Sequence, residues 1–322
     1  MSVVRFPVIF LVAAATLFIA SCGRQATAPA GPANDASIGV LLVAHGSKSS
    51  NWVGMVKTLA DQVREPIMKQ PGVREVRLAF IEETKPDLAA EMRAFDAAGI
   101  GEVVVVPLLI AGESTMTNNY LQYLVGMRTQ AKAIKQLQNE GFDVYYPKAR
   151  VAMTPALSDS EVLKKNVLRR VNELKGQDSG EDMAIVLVGY GDQVYGQQMS
   201  DIMEGLGRYL KIKTDIDTVA FAFCGKLTDY SGAPVVEVIN EVLELEQQVL
   251  VVPVLVGVDE MLQVNTIQAA VNAVPTSSKV RYKPDAVLPD PVVNEWVVTK
   301  VQEAVQRVRD AGGATVPAPN RG

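Results

Sequence analysis

The feature that most constrains this chain is that it is written twice. The first half opens on the apolar run Ile38-Gly-Val-Leu-Leu-Val-Ala followed by His45-Gly46-Ser47, and the second on Ala184-Ile-Val-Leu-Val-Gly followed by Tyr190-Gly191-Asp192. Further on, Val103-Val-Val-Val-Pro107-Leu-Leu-Ile110 matches Leu250-Val-Val-Pro253-Val-Leu-Val256. Between these markers, Leu78-Ala-Phe80-Ile-Glu82-Glu83 corresponds to Val219-Ala-Phe221-Ala-Phe223-Cys224, which sets Cys224 against Glu83. Each half closes on a similar helix entry, at Asp159 and at Asp290. Markers recurring in one order mean a copied structural unit, so the fold is two similar units in tandem.

Within each unit, continuous apolar runs alternate with stretches of helical spacing. Residues 38–44, 74–81, 102–109 and 143–150 suit strands buried on both faces, and 52–68, 86–98, 118–139 and 159–175 suit helices. The second unit repeats the strands near 184–189, 215–222, 248–255 and 279–283. Strand–helix alternation implies an α/β unit with a parallel sheet, right-handed crossovers and helices on both faces. The polar, glycine-bearing segment 175–182 reads as the linker between domains 37–175 and 183–310. In open parallel sheets ligands bind beyond the carboxyl ends of the strands. His45, Glu82, Glu83 and the loop from Ala111 to Thr117 all follow strands and are expected at one cleft edge.

The ends have another character. Arg5 precedes the apolar stretch Phe6 to Ala20, which runs into Ser21-Cys22. A positive start, a short apolar core and small residues before cysteine make residues 1–22 a secretory signal. The ending resembles a bacterial lipobox, which implies acylation of Cys22 and an exported, membrane-anchored lipoprotein, periplasmic or at the cell surface. Residues 23–36, rich in alanine, proline and glycine, read as a flexible tether, and 311–322 as a disordered tail. With Cys22 lipidated, Cys224 is the only other cysteine, so no intramolecular disulfide can form. A net charge of −5 without a basic block argues against nucleic acid. Gly189-Tyr190-Gly191 lacks the continuation of a dinucleotide fingerprint, so no nucleotide cofactor is expected.

His45 is the only histidine in the protein. At a strand end it can serve as a general base or metal ligand, or pack there against the backbone. Leu42-Val43-Ala44-His45-Gly46-Ser47 resembles the opening strand and His-Gly-Ser motif of class II tetrapyrrole chelatases, the sirohydrochlorin cobaltochelatase and ferrochelatase type. Ala79-Phe80-Ile81-Glu82 before Pro86-Asp87-Leu88 is similar to the family's second strand and helix start, and Val105-Val106-Pro107-Leu108-Leu109 to its third strand. The Leu288-to-Glu295 segment resembles its closing Pro-His-Pro, with Asp290 in place of histidine. The resemblance covers both halves, as two tandem chelatase-like domains. It implies insertion of a divalent metal, Co²⁺ or Fe²⁺ with Ni²⁺ also compatible, into a tetrapyrrole.

By the same resemblance His45 is the base or metal ligand, Glu82 an acidic partner, and Ser47, Glu83 and Thr115 contact substrate. Tyr190, at the position of His45 in the second half, packs on the ring or fills the interface. Thr115 stands where the family carries a second histidine. Glu113, two residues earlier, is the candidate replacement ligand, or else a solvated loop or helix-start acid. Asp259 and Glu260 mirror Glu113 in the second half and face either the cleft or solvent. Cys224 is either a soft ligand or inert packing. The competing reading is a non-catalytic tetrapyrrole- or metal-binding lipoprotein derived from the same fold, and a third is a scaffold that binds neither.

Overall fold

A computed structural model of the protein describes residues 37–110, 120–159, 161–192 and 196–311. Residues 1–36, with the expected signal, tether and Cys22, the residues beyond Ala311, and the loop carrying Glu113 and Thr115 lie outside the described residues.

The first unit runs β1 (Ile38–Ala44), α1 (Ser50–Met68), β2 (Val73–Phe80), α2 (Leu88–Ala97), β3 (Glu102–Pro107), the single turn α3 (Gln122–Leu124), α4 (Ala131–Asn139), β4 (Arg150–Met153) and α5 (Glu161–Lys175). The second runs β5 (Met183–Tyr190), α6 (Gly196–Lys213), β6 (Thr218–Cys224), α7 (Ala233–Leu243), β7 (Gln248–Val254), a π-helical segment Glu260–Gln268 continuing into α8 (Ala269–Ala273), β8 (Val280–Tyr282) and α9 (Pro291–Ala311). The sheets have orders β2-β1-β3-β4 and β6-β5-β7-β8, with every pair parallel. This is the duplicated, helix-flanked parallel architecture that the repeat implies.

Each helix start has a local cause. The Ser49 hydroxyl accepts from Trp52 N to cap α1, and the Asp87 carboxylate accepts from Ala90 N to cap α2. Strands β1 and β3 are buried along their whole length, as central strands of a covered sheet must be.

The fourth strand departs from its expected span of 143–150, because it begins only at Arg150. Pro147 lacks the N–H that a ladder needs. The preceding stretch is instead tied to Asp96 at the end of α2, which accepts from the Tyr145 hydroxyl at 2.7 Å and from Lys148 N at 3.0 Å. The helix expected over 118–139 is also divided. Gly126 turns there with φ +77°, and a Cβ at that position would lie 2.5 Å from Pro147.

The closing helices are exchanged. Helix α5 of the first half packs on β7 and α6, and α9 of the second packs on α1 and β3. Asn166 Nδ2 on α5 donates to Val287 O at 3.0 Å and to Asp290 Oδ2 at 2.7 Å. The buried Arg170 donates to Pro253 O at 2.7 Å and pairs with Asp285. Segment 175–182 is held to the second sheet, with Arg281 donating to Lys175 O at 2.9 Å. As a result one apolar core draws residues from both halves, from Ile38, Trp52 and Val106 to Leu250, Val293 and Trp296. Two outer cores back the far faces of the sheets. Each buried aliphatic or aromatic side chain in the shared core stabilises the fold by about 1.5–3 kcal/mol relative to exposure, which joins the halves firmly.

Candidate active site

The carboxyl ends of the central strands from both sheets open onto one cleft of about 700 Å³. That is within the range of sites that enclose a sizeable organic ligand. Leu109, Ile110, Met199 and the run Val254 to Val256 give it apolar walls, and polar groups gather at its edges.

His45 follows β1 directly and lines this cleft, half-buried. The sheet pairing continues past the strand, since Ile81 N donates to Ala44 O at 3.0 Å and Glu82 N donates to His45 O at 2.8 Å. This backbone bond fixes the imidazole and the Glu82 carboxylate on neighbouring tips of one sheet, both among the lining residues. Gly46 makes the approach possible. Its φ is +104°, and a Cβ there would lie 1.9 Å from Glu82 O.

The turn after Gly46 reaches across to the second half. The Ser47 hydroxyl donates to Asp259 Oδ2 at 2.5 Å, and the Ser49 hydroxyl donates to Glu260 Oε2 at 2.5 Å. The bond from Ser49 holds the Glu260 carboxyl below its ordinary range. Gly257 lets the second half lie directly on the indole of Trp52, where a Cβ would come within 2.9 Å. Asp259 therefore faces the cleft, half-buried, whereas Glu260 lines its rim and is exposed to solvent. Glu83 pairs with Lys48 at 3.4 Å at the mouth, and its backbone is left-handed with φ 58°. Tyr190, which stands where the first half has His45, also lines the cleft, its hydroxyl 3.4 Å from that of Tyr230.

Cys224 is corrected on two counts. Strand pairing sets Ala44 opposite Phe80 and Gly189 opposite Phe223, so Cys224 occupies the place of the buried Ile81 rather than that of Glu83. It is fully buried and its Sγ–H points to Gly189 O at 3.5 Å. Burial pushes the thiol up to about 12. A neutral, enclosed thiol is packing and not a ligand. Asp290 does not reach the cleft lining either. It is buried behind it, accepting from Asn166 and from Arg169 at 3.0 Å.

Among the described residues, no group of three or more acidic, histidine or cysteine side chains forms a ready metal cage. The described cleft offers one imidazole and several carboxylates spread around an apolar slot.

Sequence reasoning located His45, Glu82, Glu83, Ser47 and Tyr190, and the structure brings all five to the cleft. It missed Trp52, Lys226 and Tyr230. Trp52 carries an ordinary core signature on an amphipathic helix, and the other two lie on a turn whose register with the first half emerges only from the strand pairing.

Two linked parallel sheets facing each other across a cleft define the architecture of two-unit chelatases. It is shared with SirB from Bacillus subtilis with Fe³⁺, at a TM-score of 0.63 and 18% identity over 85% of this chain and 98% of that one. It is shared too with the sirohydrochlorin chelatase SirB from Bacillus subtilis subspecies spizizenii in complex with cobalt, at 0.60 and 17% over 84% and 96%. The CbiX family model matches residues 39–174. A sirohydrochlorin cobaltochelatase of Saccharolobus solfataricus is 29% identical over 136 residues, 42% of this chain and 94% of the relative. One from Saccharolobus islandicus (strain Y.G.57.14 / Yellowstone #1) is 32% identical over 103 residues, 32% of this chain and 75% of the relative. The chain belongs to the CbiX family of class II sirohydrochlorin chelatases.

Proposed function

We propose that the protein is a sirohydrochlorin-type chelatase that inserts Co²⁺ or Fe²⁺ into a metal-free tetrapyrrole. The placement of the sole imidazole carries this reading: His45 is bonded through its backbone to Glu82 and opens onto an apolar slot between two sheets. Metallation requires that two pyrrole N–H protons leave while the ring nitrogens take up the ion. Imidazole is a general base, so His45 accepts the two pyrrole protons in turn and releases each to solvent at the cleft mouth. Glu82 supplies negative charge beside it, which favours the incoming cation and the imidazolium formed transiently. The apolar walls keep the flat macrocycle desolvated and oriented across the strand tips.

The test is direct. Protein mixed with metal-free sirohydrochlorin and Co²⁺ should show the visible-band shift of metallation well above the uncatalysed rate, and His45→Ala should abolish the gain. A wild-type rate equal to the uncatalysed one, with both metals, removes the enzyme reading.

One observation favours the second reading, a carrier that binds tetrapyrrole or metal without chemistry. The chain has a single histidine, with Thr115 where the family places another. Tight sirohydrochlorin binding without metallation would select it. We further propose that Cys22 is acylated and holds the protein at a membrane surface, in keeping with the apolar run and small residues before it. Metabolic labelling with a radioactive fatty acid should mark the wild type and not Cys22→Ala. No helix among the described residues is long and apolar enough to cross a membrane.

A further inference from the structure

The turn that follows β6 is built more tightly than a connection requires. Gly225 has φ +92°, and a Cβ there would lie 2.4 Å from the Tyr190 ring. Asp229 and Tyr230, neither of them glycine, are both left-handed, at φ 49° and 57°. Such backbone costs on the order of 1–3 kcal/mol per residue and persists only where surroundings enforce it. Here they do. Leu227 N donates to Gly191 O at 3.0 Å, Tyr230 N donates to Gly225 O at 2.8 Å, and the Thr266 hydroxyl on the π-helical segment donates to Tyr230 O at 3.2 Å. The product of this locked turn is that Lys226 and Tyr230 both line the cleft, and both are exposed.

The charges differ between the halves. Counted outward from the paired strand residues, Gly225 and Lys226 stand where the first half has Glu82 and Glu83. The cleft's other lysine, Lys48, is already occupied by Glu83 at 3.4 Å, whereas Lys226 makes no ion pair among the described residues. A solvated ammonium beside an apolar wall and two tyrosine rings is suited to a flat, apolar body edged with carboxylates.

Resting on the chelatase reading, we infer that the turn Gly225–Ser231 is the grip for the macrocycle. Lys226 pairs with a peripheral carboxylate of a polycarboxylate tetrapyrrole, and the Tyr230 ring lies against the ring system. The second half thereby sets substrate affinity and preference, while the first performs the metal and proton chemistry.

The experiment measures initial rates of Co²⁺ insertion against sirohydrochlorin concentration, alongside equilibrium binding followed by quenching of sirohydrochlorin fluorescence. Lys226→Ala should raise both KM and Kd about tenfold, the scale of one charge-assisted bond, with kcat changed less than about twofold. Lys226→Arg should restore most of the affinity. The wild-type Kd should weaken with added NaCl more steeply than that of Lys226→Ala. Tyr230→Ala should weaken binding and Tyr230→Phe should not. Unchanged Kd and salt dependence in Lys226→Ala would overturn the grip while leaving the chelatase reading standing. A wild type that neither binds nor metallates sirohydrochlorin would overturn both.

Discussion

The two halves share one fold and have parted in chemistry. At the tip of the opening strand the first half has His45 and the second Tyr190. Beyond the next strand the first has Glu82 and Glu83, and the second Gly225 and Lys226. Only after the third strand do the halves correspond in kind, with Asp259 at the same distance past Pro253 as Glu113 past Pro107. The backbone frame survived duplication because a doubly covered parallel sheet depends on buried aliphatic strands, and both halves keep those. The strand tips carry no such burden, so the second copy was free to lose its base and the acids that follow its second strand and keep a shaped wall.

That comparison can be broken in several ways. The largest effect is expected from exchanging equivalent tips: His45→Ala should lower kcat by about 100-fold or more, and Tyr190→Phe by roughly twofold, both read as metallation rates. Comparable losses in the two variants would mean that the halves share the chemistry. Next is the lacing behind the cleft. Arg170→Ala leaves Asp285 without its buried partner and should destabilise the protein by about 3–5 kcal/mol in urea unfolding. The unfolding should remain one transition for both halves, and separate transitions would show that the shared core does not couple them.

A smaller effect is expected from the clasp across the mouth. Asp259→Ala removes the acceptor of the Ser47 hydroxyl and should cost about 1 kcal/mol, with metallation slowed more than binding is weakened. Full activity and stability would reduce this bond to a surface contact.

The smallest effect concerns Cys224. The thiol has an ordinary value of 9.0 and is pushed up to about 12 in the fold, so between these values the unfolded chain releases a proton that the native one retains. Its contribution is therefore complete below pH 9 and declines as pH rises towards 12, and Cys224→Ala should flatten that alkaline decline. Native protein should also resist alkylation at pH 8. Rapid modification would place this sulfur in the open.

Most of the frame was legible because buried parallel strands print as uninterrupted aliphatic runs, and the repeat doubled each signal. The fourth strand was misplaced because Val144, Tyr145 and Tyr146 have strand-like side chains, while the decisive element, the carboxylate of Asp96 capturing Lys148 N, lies far away in sequence. The equivalence of Cys224 was misjudged for a related reason. Without the pairing register, the loops after β2 and β6 align equally well two residues apart. At the site, His45 and Glu82 stood out as polar groups ending apolar runs. Asp259 could not be placed from sequence, since whether a loop acid meets solvent or a serine from the other half depends on how the halves dock. Lys226 and Tyr230 were missed because Gly225 announces only that the chain turns, while the left-handed backbone at Asp229 and Tyr230, which completes the turn, falls on residues that do not signal it.

The exchange of α5 and α9 has a mechanical consequence. A two-lobed protein usually swallows its guest by bending at a joint, but here each lobe carries a strut fixed to its neighbour. Arg170 is tied to Pro253 O, so α5 travels with the second lobe, and α9 with Trp296 packs on α1 and β3 and travels with the first. Widening the slot would shear the contact between α5 and α9. Any change of aperture must therefore be taken up along the seam where these two helices cross.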